Sequence, residues 1–423
     1  MLVLLRFTCG LAVAALVLAV PLAASADPVP LDMHTAVNLA LQRDSVLRQR
    51  AAEKQAVAAQ AVAAGQLPDP QLSVGIQNLP TNSFAVGRDG MTMQVIGVSQ
   101  EFPAGHTRAL AEKRGGQLAD SVQAEIAERR RDVTRQVQEA WLQLYYADHA
   151  LELARASETE FKELAEISKV RYENGSGTEQ EWLRTRLELA SLQERELDLE
   201  NAAQTGEAVL KRWLGDEAAA RPLPDALPQL PAPPAYASIL NALPDHPLAE
   251  ADNAQIAAAD TAMDIAEQAY HPVWGVDLSY GHRPGGDAGG PFTNMFTAMV
   301  SVSLPIFTGK RQNQAVAAAR AEVNARTDAR DNQLRELKRT LDEDWARWQQ
   351  LQKLRTLYDQ AVLPDSSADV TAGLDAYRNG GGDFFELLRS RVDQLDAQIR
   401  RLKIETDLDS VKADLWYLAG ENS

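Results

Sequence analysis

The 423-residue chain contains a single cysteine, Cys9, close to its amino terminus. No intrachain disulfide can form, and no cysteine-held metal centre is expected. Long apolar runs are as scarce: beyond residues 11–22, no stretch could cross a bilayer as a helix. Proline is missing from residue 104 through 221, which leaves room there for very long helices. Lys and Arg number 42 against 59 Asp and Glu, a net charge of −17 that disfavours nucleic acid and suits small cations or basic partners. The histidines, His34, His106, His149, His246, His271 and His282, are dispersed and show no zinc-ligand or metalloprotease spacing. No Ser or Cys nucleophile motif is present, and Gly309-Lys310 lacks the upstream glycine of a phosphate-binding loop. Neither catalysis, a cofactor nor a resident metal site is expected.

What the chain has begins with a secretory signal. Arg6 precedes an apolar core, and Ala24-Ser25-Ala26 forms a small-residue cleavage site before Asp27. Residues 1–26 are therefore expected to be removed, and losing Arg6 takes the net charge from −17 to −18. Cys9 has no small-residue lipobox before it and is not expected to carry lipid.

The next feature is a duplication. Tyr172 to Glu188 reads YENGSGTEQEWLRTRLE and Tyr377 to Asp393 reads YRNGGGDFFELLRSRVD, with eight identities in 17 positions at an offset of 205. Chance would supply about one. Each copy has the chemistry of a helix end and the start of a new helix: Asn174-Gly175 and Asn379-Gly380 tolerate positive φ, and Thr178 or Asp383 can cap the second helix of the pair. At an offset of 202, Ala40-Leu41 matches Ala242-Leu243, Pro70 matches Pro272 and Pro103 matches Pro305. The chain divides into a first repeat over 27–220, a Pro-rich linker over 221–235 and a second repeat over 236–423.

Each repeat has the same order of patterns. A helix over 31–66 is followed by alternating strands over 71–77 and 91–102, then by a helix of close to 70 residues, about 100 Å, that ends at the tip near 175. Val133, Val137, Ala140, Leu144, Ala147, Leu151 and Ala154 form a coiled-coil seam along it. The return arm is half as long, so it and the first helix can stack end to end beside the long one. The second repeat gives a helix over 236–270, strands over 273–280 and 292–304, and a hairpin with its tip near 380, kinked at Pro364.

The strands are apolar on one face and small or polar on the other, the pattern of a transmembrane β-barrel wall. Four strands cannot close a barrel, so several chains must share one: two would give eight strands and three would give 12. A small soluble sheet on a helical bundle, or a periplasmic adaptor or coiled-coil scaffold, is the alternative. Met91 with Met93, and Met295 with Met299, read as wall packing rather than a copper path.

The leader, the two ordered halves, the strand-closing prolines and the Tyr-x-x-Gly tips resemble the TolC-like outer-membrane efflux channels across essentially the whole mature chain. LPDPQLSVGIQNLP and QEFPAGHTR look most like the outer-membrane components of heavy-metal cation exporters. The resemblance implies a mainly α fold with a small membrane β part: a homotrimer whose 12-stranded β-barrel in outer-membrane lipid continues into an α-helical barrel crossing the periplasm of a Gram-negative bacterium. It implies a passive duct served by a periplasmic adaptor and an inner-membrane pump, with drug efflux or type I protein secretion as the other cargo classes. By position, Tyr172, Glu181, Tyr377 and Glu386 become the periplasmic gate, and Asn174, Gly175, Asn379 and Gly380 the tips on which the adaptor docks. The family's arginine two residues after the second tip glycine is Gly382 here, and an acidic position nine after it is Arg389.

Overall fold

A computed structural model describes residues 30–285, 292–379 and 383–420; the expected leader, Gly380 and Gly382 lie outside them. The first half runs α1 (Met33–Arg43), α2 (Ser45–Ala64), β1 (Gln71–Gln77), β2 (Met93–Phe102), α3 (Thr107–Glu173), α4 (Glu179–Leu214) and a turn of helix, α5 (Asp216–Ala219). The second runs α6 (Tyr236–Ala242), a 3₁₀ turn (Leu243–Asp245), α7 (Pro247–Gln268), β3 (Trp274–His282), β4 (Met295–Val302), α8 (Gln312–Leu357), a π-helical turn (Tyr358–Val362), α9 (Leu363–Arg378) and α10 (Phe384–Ala419). The fold is mostly helical with one small antiparallel sheet.

The helix expected over 31–66 is broken at Asp44. Asp44 leaves helical geometry (ψ 115°) and its Oδ1 accepts from the Leu47 backbone at 2.6 Å, capping α2, while Arg129 Nη2 donates to its other oxygen at 2.8 Å. A buried carboxylate with a charged partner and a cap to make outweighs the local preference for helix. The second expected helix, over 236–270, breaks at the equivalent place 202 residues on. His246, between Pro244 and Pro247, caps α7 by accepting from Leu248 N at 3.3 Å. At Pro364 the helix stays continuous by widening into the π turn just before it, which accommodates the missing N–H without a break.

The seven seam residues of α3 are all buried. The upper part packs with α1 and the end of α4 around Trp141, whose Nε1 donates to Leu31 O at 2.8 Å. Here α1 and α4 meet beside the single long α3, while the lower part of α3 packs with α4 and α10 around Phe161, Leu192 and Phe384. Residues 221–235 lie extended against this core rather than hanging free: Tyr145 Oη donates to Asp225 O at 2.9 Å, and Lys412 Nζ and Trp416 Nε1 donate to Leu230 O and Pro231 O at 3.2 Å each. The linker thereby ties α3 of one half to α10 of the other.

Strand ends differ from the sequence pattern where a loop side chain takes the backbone. Asp89 accepts from Met91 N and Thr92 N, so β2 starts at Met93. Asn294 Oδ1 accepts from Arg283 N at 3.1 Å, so β3 runs on to His282 and β4 starts only at Met295.

Candidate functional site

The sheet has the order β1-β2-β3-β4, antiparallel throughout, and the two halves join at β2–β3. Residues directly opposite in such a ladder share a face. The register sets Leu72, Val98, Leu278 and Ala298 in one row and Val74, Ile96, Tyr280 and Phe296 in the next, with Phe102 opposite Trp274. The other face carries Ser73, Gly97, Ser279 and Thr297, then Gly75, Val95, Gly281 and Met295. Met299 is also on this small, polar side, opposite Asp277, and Met93 is there opposite Gln77. The apolar face is open to its surroundings: Val74 is 76% exposed and Phe296 70%. Apolar area of this extent, on strands whose backbone is paired, is the chemistry of a wall with lipid outside and water inside.

At the far end of α3 the first tip is built by backbone demand. Asn174 N donates to Val170 O at 3.0 Å, Gly175 turns with φ +71°, and Ser176 N and Gly177 N both donate to Arg171 O, at 2.9 and 3.0 Å. A side chain at 175 would meet nothing within 4 Å, so only the positive φ asks for glycine. Thr178 then caps α4: its Oγ1 accepts from Glu181 N at 3.1 Å, and the Glu181 carboxylate accepts from Thr178 N at 3.4 Å. Glu181 is thus engaged as half of a capping box. Tyr172 stacks on Trp182 at 5.6 Å, and Arg186 lies over the same indole at 5.3 Å, which closes the tip on itself.

The second tip is used differently. Tyr377 packs on Phe384 at 5.7 Å, and its Oη accepts from Arg171 Nη1 at 2.6 Å, with the guanidinium 5.3 Å from its ring. Arg171 Nη2 also donates to Ser176 O at 3.1 Å, so one arginine holds its own tip and the tyrosine of the other hairpin. Asp383 caps α10 by accepting from Phe385 N at 2.9 Å, leaving Glu386 on the first turn. Arg391 pairs with Glu160 at 2.8 Å and Arg195 with Asp396, which adds two charged links between the hairpins. The structure brings Tyr377 to the first tip but keeps Tyr172 within its own. Arg171 carries no signal in the repeat because its counterpart in the second copy is Ala376, and identity between the repeats is what marks the other tip residues.

Between sheet and tips, α3, α4, α8 and α10 surround a cavity of about 700 Å³ lined by Glu139, Arg347, Lys403, Asp407 and Asp414 among others. Arg135 Nη1 donates to Glu139 at 3.0 Å and to Asp414 at 3.4 Å. Burial and the neighbouring Asp414 carboxyl push Glu139 up to about 7 despite Arg135. Asp344 is raised to about 6 by burial and by Asp414. His246 is lowered to about 4 by burial and by the Arg131 charge. Among the described residues, no group of three or more His, Cys, Asp or Glu is placed to hold a metal ion, and no helix is long and apolar enough to cross a membrane.

A family model described as outer membrane efflux protein matches residues 36–216 and 239–421. A comparison with curated proteins finds no match. Among solved structures, the outer membrane protein VceC from Vibrio cholerae superposes with a TM-score of 0.77 at 17% identity, over 92% of this chain and 96% of that one. CusC, whose structures concern folding and transmembrane channel formation, gives 0.76 at 15% identity over 95% and 96%. The open-state MtrE outer membrane channel of Neisseria gonorrhoeae gives 0.74 at 17% identity over 92% and 89%. At these identities the likeness is one of fold, and it extends over sheet and helices alike. With both halves matched in sequence and the whole architecture matched in space, the chain belongs to the outer membrane efflux protein family, whose members are transport channels and not enzymes.

Proposed function

We propose that three copies of this chain form a passive export duct, receiving cargo from an inner-membrane pump through a periplasmic adaptor docked on the hairpin tips. The observation that carries the reading is the sheet: one face apolar, the other small and polar, with β1 and β4 each paired on one side only among the described residues. Open edges are not tolerated in lipid, and three such sheets give a 12-stranded wall. Heavy-metal cations are the cargo class we favour. The acidity of the chain supports it, as does the motif likeness of residues 67–80 and 100–108; Met93, Met295 and Met299, expected from the sequence as wall packing, lie instead on the polar face, where their thioethers are open to a soft cation. In a strain lacking this channel, sensitivity to zinc, cadmium or copper is expected to rise; higher sensitivity to dyes or antibiotics alone would assign the duct to drugs.

The tips act as the periplasmic gate in this reading. Arg171 ties the first hairpin to Tyr377 of the second, and Glu386, on the first turn of α10, would place one carboxylate per copy near a narrow opening. Opening requires the hairpins to part and the Arg171–Tyr377 bond to break. Tyr377→Phe with Glu386→Ala is expected to raise single-channel conductance in planar bilayers. Unchanged conductance would remove these residues from the gate.

A further inference from the structure

The seam that joins the two halves of this chain supplies a template for a second seam. At β2–β3, Phe102 lies opposite Trp274, Gln100 opposite Val276 and Val98 opposite Leu278. Below it α3 packs on α7, where Gln255 Nε2 donates to Ser121 Oγ at 3.3 Å, and the turn after β2 is held when His106 N donates to Gln268 Oε1 at 3.0 Å. Gly105, φ +51°, allows that approach: a Cβ there would lie 2.3 Å from Gln268 Oε1.

The outer edges repeat these parts. Gln66 stands 202 residues before Gln268, and each amide donates to the carbonyl four residues back, to Val62 O at 3.0 Å and to Asp264 O at 3.2 Å. Gln66 Oε1 is therefore presented as Gln268 Oε1 is, but it meets no donor among the described residues. Offsets of 202 before Pro305 and 205 along α8 convert the Gln255–Ser121 contact into Glu53 and Arg326, an opposite-charge pair. Arg326 keeps 47% of its side chain exposed after bonding Glu322 and Gln255.

We propose that β4 of one copy pairs antiparallel with β1 of the next in the register of β2–β3, setting Leu304, Val302 and Val300 opposite Leu72, Val74 and Ile76, with Arg326 meeting the next copy's Glu53. This rests on the trimeric reading and adds the residues that close it. All six strand-side residues are exposed apolar groups on the lipid-facing side. A one-residue slip would oppose apolar and polar faces. A slip of two keeps the faces, and the hairpins themselves differ by two: Gln71 pairs Ser99, whereas Gly275, not Val273, pairs Ser301. The charged pair and the Gln66 acceptor select between these registers. The connection from β4 to α8 is longer than its counterpart in the first half and carries Ile306 and Phe307, exposed at 70% and 85%, where that counterpart buries Ala104. In the proposed seam these fall beside the next copy's Val62 and Leu67.

Because Cys9 is the sole cysteine and lies in the expected leader, the register can be read by oxidative cross-linking in outer membranes holding the full chain. Val302→Cys is combined in turn with Leu72→Cys, Val74→Cys and Ile76→Cys. Covalent dimers and trimers are expected about tenfold faster with Val74→Cys, since diagonal neighbours sit roughly 7–8 Å apart and a disulfide needs Cβ atoms near ~4 Å. Fastest linkage at 72 or 76 overturns the register. No linkage from any pair in a particle of three-chain mass overturns the seam, whereas a one-chain particle overturns the trimer itself. Arg326→Glu and Glu53→Arg should each reduce the trimer fraction and together restore it; absence of rescue removes the charged pair. Because native Trp274 lies on the lipid-facing side, Phe307→Trp is read in a Trp274→Phe background: quenching by brominated acyl chains above that of the background alone would put the connector in lipid and overturn its place in the seam.

Discussion

Raising the pH from 4.5 to 8.5 should destabilise the helical body, and Glu139→Gln should abolish part of that loss. Glu139 has an ordinary value of 4.5 and stands at about 7 in the fold, where burial and the Asp414 carboxyl outweigh Arg135. A carboxyl raised in this way contributes stability that is fully present below 4.5 and is lost as pH climbs through about 7. At ~1.4 kcal/mol per pH unit the ceiling is about 3 kcal/mol. The Glu139 side chain is 26% exposed beside a cavity wide enough for water, which reduces the effect to about 1–2 kcal/mol. Glutamine reproduces the protonated acid, donating toward Asp414 and accepting from Arg135, so the variant should match the native chain at pH 4.5 and exceed it at pH 8.5. Over a chain this long the gain is about 1–3 °C in Tm. Far-UV circular dichroism melts at one scan rate, in detergent, across that pH range measure it. Parallel native and variant profiles, or a less stable variant at pH 8.5, would refute the argument that a proton is held between Glu139 and Asp414.

His246 acts with the opposite sign: lowered to about 4, it contributes stability present above 6.5 and lost as pH falls through 4. His246→Asn keeps a capping acceptor, an amide oxygen in place of Nδ1, and should flatten the acid limb of the same melts, at a cost of about 2 kcal/mol in packing against Tyr417. Asp44→Ala removes the α2 cap and the partner of Arg129, costing about 2 kcal/mol, while Asp44→Asn retains the cap and loses less; chemical unfolding midpoints separate the two. Gly175→Ala forces a Cβ onto φ +71°, about 1 kcal/mol of strain without a clash, and should appear as faster amide exchange confined to residues 170–178.

Whatever repeats or alternates was legible in the chain alone. Duplicated tips, period-two strands and a proline-free stretch are local signals, and they carried the fold class: long helices, a small sheet, two like halves. The break at Asp44 was not legible because its carboxylate is held by Arg129, far along the chain, whereas the break at His246 was marked locally by Pro244 and Pro247, a signal that the helix pattern over 236–270 passed over. Tertiary contact also divided the tips. Sequence identity made Tyr172 and Tyr377 equals, yet one stacks on Trp182 within its own hairpin while the other bonds Arg171 across to the first. No property of the tyrosines decides that; the placement of α9 and α10 against α3 does. The same holds for Glu139, an ordinary acid on a long helix until α10 brings Asp414 beside it. Pattern along the chain settles which residues face apart, because backbone period is local; which residues meet depends on the packing of helices hundreds of residues apart.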